Sequence, residues 1–363
     1  MTAAVKRKIF IIAGEVSGDV LGGELMRAAP KGFKFAGVGG DCMKKAGLKT
    51  LFPISDLSVM GFAEVVMKSA TLISRIKQTA DAITKERPDI VLTIDSPSFA
   101  ARVIKRVKKS AGRRPKFYHI VAPMVWAWGG SGRAKKYAKV FDKLFCFFDF
   151  EKPYFAKYGL ETIVIGHPLY DVAHGWMTRN AKKRFITLIP GSRMGEVSKV
   201  MPVYREFAAA NPKWEFAIPT TETTRDFILR EIKSWPKAPR IVPFDDRYRL
   251  YNETKLAVAV IGTATAELAM MQVPAIVVWR PKWLTEKVSK FLLKIKYLGL
   301  VNIIARKGIY PELIGRDFTA ENVQRAAEST NWKKVSSELK KADKLWHKKS
   351  LPMQMVIDSI RNS

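Results

Sequence analysis

The stretch "LAVAVIGTATAELAMMQVPAIVVW", residues 256–279, has two readings that lead to different proteins. Taken as one apolar segment, it approaches the length that crosses a bilayer. Glu267 and Pro274 stand near its middle, however, and a charge and a helix breaker there argue against a span. Its ends, "LAVAVIG" and "AIVVW", are short β-branched runs, and the middle has the composition of a helix. We therefore read it as strand, turn, helix and strand inside a buried core.

The same alternation extends through the chain. "KIFIIA", "DIVLTID", "KFYHIVA", "KLFCFF" and "TIVIG" form one series, and "RFITLIP", "EFAIP", "RIVPF", "LAVAVIG" and "AIVVW" form a second. Short apolar strands separated by helical stretches indicate parallel sheets covered on both faces, an α/β architecture. The polar, Pro-containing stretch 166–184, "GHPLYDVAHGWMTRNAKKR", separates the series as a linker would. With 363 residues, 47% of them apolar, the chain can bury two cores, and two doubly wound domains are expected.

Sixty-three Lys and Arg against 33 Asp and Glu give a net charge of +30, which calls for an anionic partner. Nucleic acid, an acidic membrane surface and phosphorylated substrates all fit that sign. No recognition helix or aromatic-rich binding motif accompanies the charge, so nucleic acid is not the expected partner. Cys42 and Cys146 have neither metal-ligand nor C-x-x-C spacing, which suits a reducing compartment. Behind Lys6, Arg7 and Lys8 the apolar run lasts only from Ile9 to Ala13, too short for a signal peptide, so a cytoplasmic location is expected.

In doubly wound sheets, ligands collect beyond the carboxyl ends of the strands. The first such loop is "GEVSGDVLGG", with Gly14, Glu15, Ser17, Gly18 and Asp19. Its glycines fit neither G-x-G-x-x-G nor a Walker motif. Its two carboxylates would repel an anion but accept hydrogen bonds from sugar hydroxyls. A tight turn with a Ser17-capped helix is the structural alternative. Asp95 closes "DIVLTID", whereas Asp89 opens the same strand about 20 Å away at roughly 3.3 Å per residue. Asp95 could act as a general base or cap the next helix, in which Ser96 and Pro97 come first.

In the second series, Gly191, Ser192 and Arg193 of "IPGSR" offer backbone N–H groups and a guanidinium to a pyrophosphate. Gly262, Thr263 and Ala264 of "IGTATAEL" could approach phosphate, with Glu267 accepting from ribose hydroxyls. There is no D-x-D pair; "FDFE" (148–151) and "FDDR" (244–247) read as surface or turn acids, and no metal is expected. His167 reads as an interdomain structural residue.

With these loops in view, the sequence resembles the lipid-A-disaccharide synthases, inverting glycosyltransferases of GT-B architecture. The matching stretches include "AGEVSGD", "GVGGDCMKKAG", "LSVMGFAEV", "PDIVLTIDSPSF", "VAPMVWAWGGSGR", "FEKPYFAKYG", "VIGHPL", "IPGSR", "GTATAEL" and "LVNIIA", in family order over residues 9–318. The resemblance implies two Rossmann-like domains facing a cleft. Residues 1–170 would form the acceptor side and 171–345 the UDP-sugar side, with a helix in 346–363 returning to the first domain. It implies transfer of 2,3-diacylglucosamine from UDP-diacylglucosamine to diacylglucosamine 1-phosphate, without cofactor. By position it makes Asp95 the base and gives Gly14, Glu15, Ser17 and Gly18 to the acceptor. Gly191, Ser192, Arg193, Gly262, Thr263, Ala264, Glu267 and Asn302 fall to the donor. Ser98, Ile261 and Asp149 depart from the usual Asp, Ser and Pro, which bears on acyl-chain or sugar preference. The alternatives are another GT-B transferase or UDP-sugar epimerase, or a non-catalytic basic protein that binds lipid or nucleic acid.

Acylated substrates give the charge a use at the cytoplasmic face of an anionic inner membrane. "KWLTEKVSKFLLKIKYL", residues 282–298, sets Leu284, Val288, Phe291, Leu292 and Ile295 on one helical face and Lys287, Lys290 and Lys294 on another. A second basic stretch, 101–116, and the aromatics of "MVWAW", 124–128, are further candidates for that surface, or else a solvated face and ordinary packing.

Overall fold

A computed structural model describes residues 6–57, 69–110, 114–127, 130–178, 180–280 and 296–363. The chain divides into two compact units, residues 1–168 with 348–363, and residues 169–347.

Unit 1 is built on a six-stranded parallel sheet in the order β2-β1-β3-β4-β5-β6. The strands are β1 (Arg7–Ala13), β2 (Phe33–Val38), β3 (Ile90–Ile94), β4 (Lys116–Ile120), β5 (Lys143–Cys146) and β6 (Glu161–Val164). Its helices are α1 (Val16–Ala28), α2 (Asp41–Lys45), α3 (Ser69–Glu86), α4 (Pro97–Val107), α5 (Gly130–Ala138) and α6 (Lys152–Ala156).

Unit 2 repeats the plan in the order β12-β11-β10-β7-β8-β9. Its strands are β7 (Phe185–Ile189), β8 (Glu215–Thr220), β9 (Arg240–Pro243), β10 (Thr254–Val260), β11 (Ala275–Trp279) and β12 (Glu312–Ile314). Its helices are α7 (Leu169–Gly175), α8 (Met194–Ala210), α9 (Glu222–Glu231), α10 (Arg247–Glu253), α11 (Thr263–Met270), α12 (Leu300–Ala305), α13 (Ala320–Ser329) and α14 (Trp332–Ala342). The final helix, α15 (Pro352–Arg361), lies in unit 1, where it packs on α1.

Residues 256–279 are thus β10, α11 and β11. Among the described residues no helix is long and apolar enough to cross a membrane. Inner strands such as β3 and β7 are buried along their whole length, as continuous Val/Ile/Leu runs covered by helices on both faces must be. The edge strands β2 and β12 are only partly buried, and neither stands out as an apolar run.

In unit 1, Phe10, Ile12, Val91, Val103 and Ile104 fill one face of the sheet. Ile9, Ile11, Leu92 and Ile94 fill the other, together with Met353, Val356, Ile357 and Ile360 of α15. Helix α4 shows how the basic stretch is accommodated. Pro97 starts it, Ala101, Val103, Ile104 and Val107 are buried, and Arg102, Lys105, Arg106 and the following Lys109 face solvent. The apolar side of this stretch therefore belongs to the core, leaving only its cations for a surface. The amphipathic segment 282–298 falls largely in 281–295, outside the described residues, as do most of "LSVMGFAEV" and Trp128.

Candidate active site

In unit 1 the chain leaves β1 toward β2 on one side and β3 toward β6 on the other, so the loops after β1 and β3 diverge at a topological switch point. Gly14 N–H donates to the Ile94 carbonyl at 3.2 Å, and Asp95 N–H to that of Ile120 at 3.1 Å. A Cβ on Gly14 would lie 2.2 Å from Ser96 Cβ, so the loops touch only because residue 14 is glycine. Asp95 and Ser96 are both left-handed, with φ of 58° and 44°. Val121, at the end of β4, is left-handed too, at 78°. Consecutive non-glycine residues there cost on the order of 1–3 kcal/mol each, and such strain concentrates at functional sites.

Asp95 Oδ1 accepts from Ser96 N–H at 2.7 Å, and Oδ2 from the Ser17 hydroxyl at 3.4 Å. Its carboxylate therefore does not cap α4, whose cap position is Ser96, without a side-chain capping bond. Nor does Ser17 cap α1; Glu15 holds that position, and Glu15 and Ser17 are both exposed. Two loop residues stand elsewhere than expected. Gly18 is buried beneath the loop, where an added Cβ would meet the Ile94 carbonyl at 3.2 Å, so it sets how closely α1 approaches β3. Asp19 is not offered to hydroxyls: buried, it accepts from Gly40, Cys42 and Met43 N–H at 2.7, 2.8 and 3.1 Å and so anchors the start of α2.

The switch point of unit 2 lies between β7 and β10, where Ile189 pairs with Ala259. The loop after β7 carries Gly191, left-handed at φ 93°, then Ser192 and Arg193, which is the cap residue of α8. Arg193 is exposed, with Nη1 3.6 Å from Glu196 Oε1. The loop after β10 places Gly262 at the cap of α11, with Thr263 and Ala264 in its first turn. Two helix N-termini thus follow the carboxyl ends of adjacent central strands, with the exposed Arg193 side chain at the start of one of them, an arrangement suited to a diphosphate.

Glu267 lies deeper, 2% exposed, and is held by Arg247 and Tyr248 of α10. Sequence reading passed over both, taking "FDDR" for a turn; the aromatic neighbours Phe244 and Tyr248 were the signal available. Asn302 does not point to a ligand. Fully buried, it donates to the Tyr310 carbonyl and Glu312 and accepts from Ile309 and Tyr310 N–H, so its amide ties α12 to the segment leading into β12. Of the family departures, Ile261 packs against the core of unit 2, Ser98 is exposed in the first turn of α4, and Asp149 pairs with Lys348 at 2.8 Å.

Beyond β5, Glu151 is buried and accepts from Phe147 and Phe148 N–H, each at 3.1 Å. Burial pushes its carboxyl up from 4.5 to about 7, against the pull of those N–H groups. Trp126 meets Phe150, and His167 lies against the rings of Phe147 and Phe148. The folded state thus holds a proton that the unfolded chain releases near 4.5. The associated stability is complete below that pH and is lost as pH rises through about 7, a change of about 3 kcal/mol. Glu151→Gln cannot titrate. Urea unfolding should show it gaining on the parent by up to about that much between pH 5 and 8, and a pH-independent difference would refute the assignment.

Among the described residues, no group of three or more His, Cys, Asp or Glu side chains is placed to hold a metal ion.

Two doubly wound units with loops of this kind at their switch points define a GT-B-type fold, which glycosyltransferases and UDP-sugar epimerases share. The comparisons make the assignment narrower. The model of the family described as lipid-A-disaccharide synthetase matches residues 9–357. The lipid-A-disaccharide synthase of Rhodospirillum centenum is 36% identical over 338 residues, covering 88% of this chain and 84% of that one. That of Rickettsia akari is 35% identical over 334 residues, covering 85% and 82%. The chain belongs to the lipid-A-disaccharide synthase family.

Solved structures agree on the fold. Acinetobacter baumannii MurG superposes with a TM-score of 0.63 at 12% identity, covering 98% of this chain and 100% of that one. A putative UDP-N-acetylglucosamine 2-epimerase from Listeria monocytogenes gives 0.63 at 15%, covering 99% and 96%.

Proposed function

We propose that the protein transfers the 2,3-diacylglucosaminyl group of UDP-2,3-diacylglucosamine to the 6-hydroxyl of 2,3-diacylglucosamine 1-phosphate, releasing UDP with inversion. Asp95 takes the proton of the attacking hydroxyl, with Glu15 and Ser17 beside it to bind the acceptor sugar. Arg193 and the N-terminal amides of α8 and α11 meet the charge that grows on the departing diphosphate. The observation that carries this reading is the placement of Asp95: at the switch point of unit 1, on strained backbone and half-exposed, with one oxygen held by the Ser96 N–H and the other meeting only the long 3.4 Å bond from the exposed Ser17 hydroxyl among the described residues.

Incubation with the two acylated sugars, with and without EDTA, tests it by mass spectrometry of the lipid product and assay of UDP. Disaccharide 1-phosphate and UDP in equal amounts are expected. Conversion of the UDP-sugar to its epimer, or no turnover of either sugar, would refute it.

The same reading places the protein peripherally at the cytoplasmic face of an anionic membrane. The support is the +30 charge and the outward cations of α4, each Lys or Arg near such a surface contributing about 1 kcal/mol. Vesicles containing phosphatidylglycerol should carry the protein upward in flotation at 50 mM salt and release most of it at about 500 mM. Equal recovery with neutral vesicles would refute an electrostatic attachment.

A further inference from the structure

The buried polar cluster around Glu267 is more elaborate than a lone hydrogen-bond acceptor needs. Arg247 approaches the carboxylate edge-on, with Nε 3.2 Å from Oε2 and Nη2 3.0 Å from Oε1. The Tyr248 hydroxyl donates to Oε1 at 2.8 Å. The guanidinium is fixed in turn: Cζ lies 4.0 Å from the centroid of the Phe244 ring and 4.2 Å from that of Tyr248, and Nη1 donates to the Phe244 carbonyl at 3.1 Å. Burial first, and the neighbouring Glu267 charge second, push the Tyr248 hydroxyl up to about 12, so it remains a donor at any working pH.

Three donors converge on Oε1, Arg247 Nε, Arg247 Nη2 and Tyr248 Oη, whereas among the described residues Oε2 receives only Arg247 Nε. A carboxylate has about four acceptor positions. Those of Oε1 are filled by α10, and Oε2 retains capacity on the side away from Arg247. The asymmetry leaves one oxygen in a fixed orientation, one turn inside the helix that begins at Gly262. Lysine could supply the charge but not the two-point grip that sets the carboxylate plane.

We infer that Arg247 and Tyr248 are positioning residues for nucleotide recognition: they hold the Glu267 carboxylate in the one orientation that leaves Oε2 open to the ribose hydroxyls of the donor. This rests on the reading of the unit 2 switch point as the nucleotide site. It assigns the Phe244–Tyr248 segment, which touches neither phosphate loop in sequence, to donor affinity rather than to the fold alone.

The test is calorimetric titration of the full chain with UDP, paired with steady-state kinetics in both substrates. Arg247→Met should weaken UDP binding and raise the donor KM at least about tenfold, with the acceptor KM changed less than twofold. Tyr248→Phe should do the same by about threefold, and Arg247→Lys should recover only part of the loss. Folding is checked by circular dichroism and melting; if Arg247→Met does not fold, Tyr248→Phe, which removes a single oxygen, decides. Glu267→Gln separates the two levels of the argument. If that variant, or the parent itself, shows no Glu267-dependent UDP binding, the nucleotide-site reading fails. If Glu267→Gln weakens binding while folded Arg247 and Tyr248 variants bind UDP as the parent does, the positioning inference alone is overturned. A loss shared equally by donor KM, acceptor KM and kcat would make the cluster structural and overturn it as well.

Discussion

Exchange of Asp95 for asparagine should lower turnover at least about a hundredfold while leaving the fold intact. The expectation for folding follows from the local geometry. Position 95 has φ 58°, and asparagine is among the residues most tolerant of left-handed backbone. Its carbonyl oxygen can still accept the Ser96 N–H bond that Asp95 Oδ1 accepts at 2.7 Å. What asparagine cannot do is take a proton from a sugar hydroxyl. Thermal melting within a few degrees of the parent and a collapsed kcat, with UDP binding unchanged, is the expected pattern. Near-normal kcat would remove Asp95 from the mechanism. Alanine makes a poorer test, because it loses both the base and the local bond that supports the strained turn.

Gly14→Ala should act on the same site from the opposite loop. The added methyl would stand 2.2 Å from Ser96 Cβ and 2.3 Å from its Oγ, and neither Cβ can rotate away. Either the loop after β1 or the strained turn after β3 must move. Overpacking of this kind costs about 1–3 kcal/mol, and displacement of Asp95 by even 1 Å can cost a further hundredfold in rate. The double variant Gly14→Ala/Ser96→Gly removes the opposing methylene and suits a left-handed position. It should restore melting temperature and most of the activity. Failure of this second change to restore either would mean that the contact between the loops is not what makes position 14 glycine.

The inner strands were legible because strands buried on both faces carry continuous apolar runs, as β1, β3, β7, β10 and β11 do apart from the cations near the start of β1 and β10 and the single buried threonines Thr93, Thr187 and Thr254. The missed strands, β2 and β12, are sheet edges. "FKFAGV" mixes Lys34 and Gly37 into a half-buried strand, and β12 is three residues long, so neither leaves a clear pattern. Loop position was legible where it is local: Asp95 follows β3 and "IPGSR" follows β7, as the strand patterns predict. It failed where a polar side chain is answered from far along the chain. Asp19 reads like Glu15 until the amides of Gly40, Cys42 and Met43 are seen around it, and Asn302 until those of Ile309 and Tyr310 are. Arg247 escaped for the same reason, its partner lying 20 residues away on another helix.

Helix α15 gives unit 1 part of its core from the far end of the chain, through Met353, Val356, Ile357 and Ile360. During synthesis on the ribosome, the contiguous stretch 169–347 can reach its final packing while the earlier-made sheet still waits for its last layer. The half that emerges first would be the half that matures last. In that interval the flank of α1 that α15 will cover stays exposed, an apolar surface open to aggregation until the last residues are made.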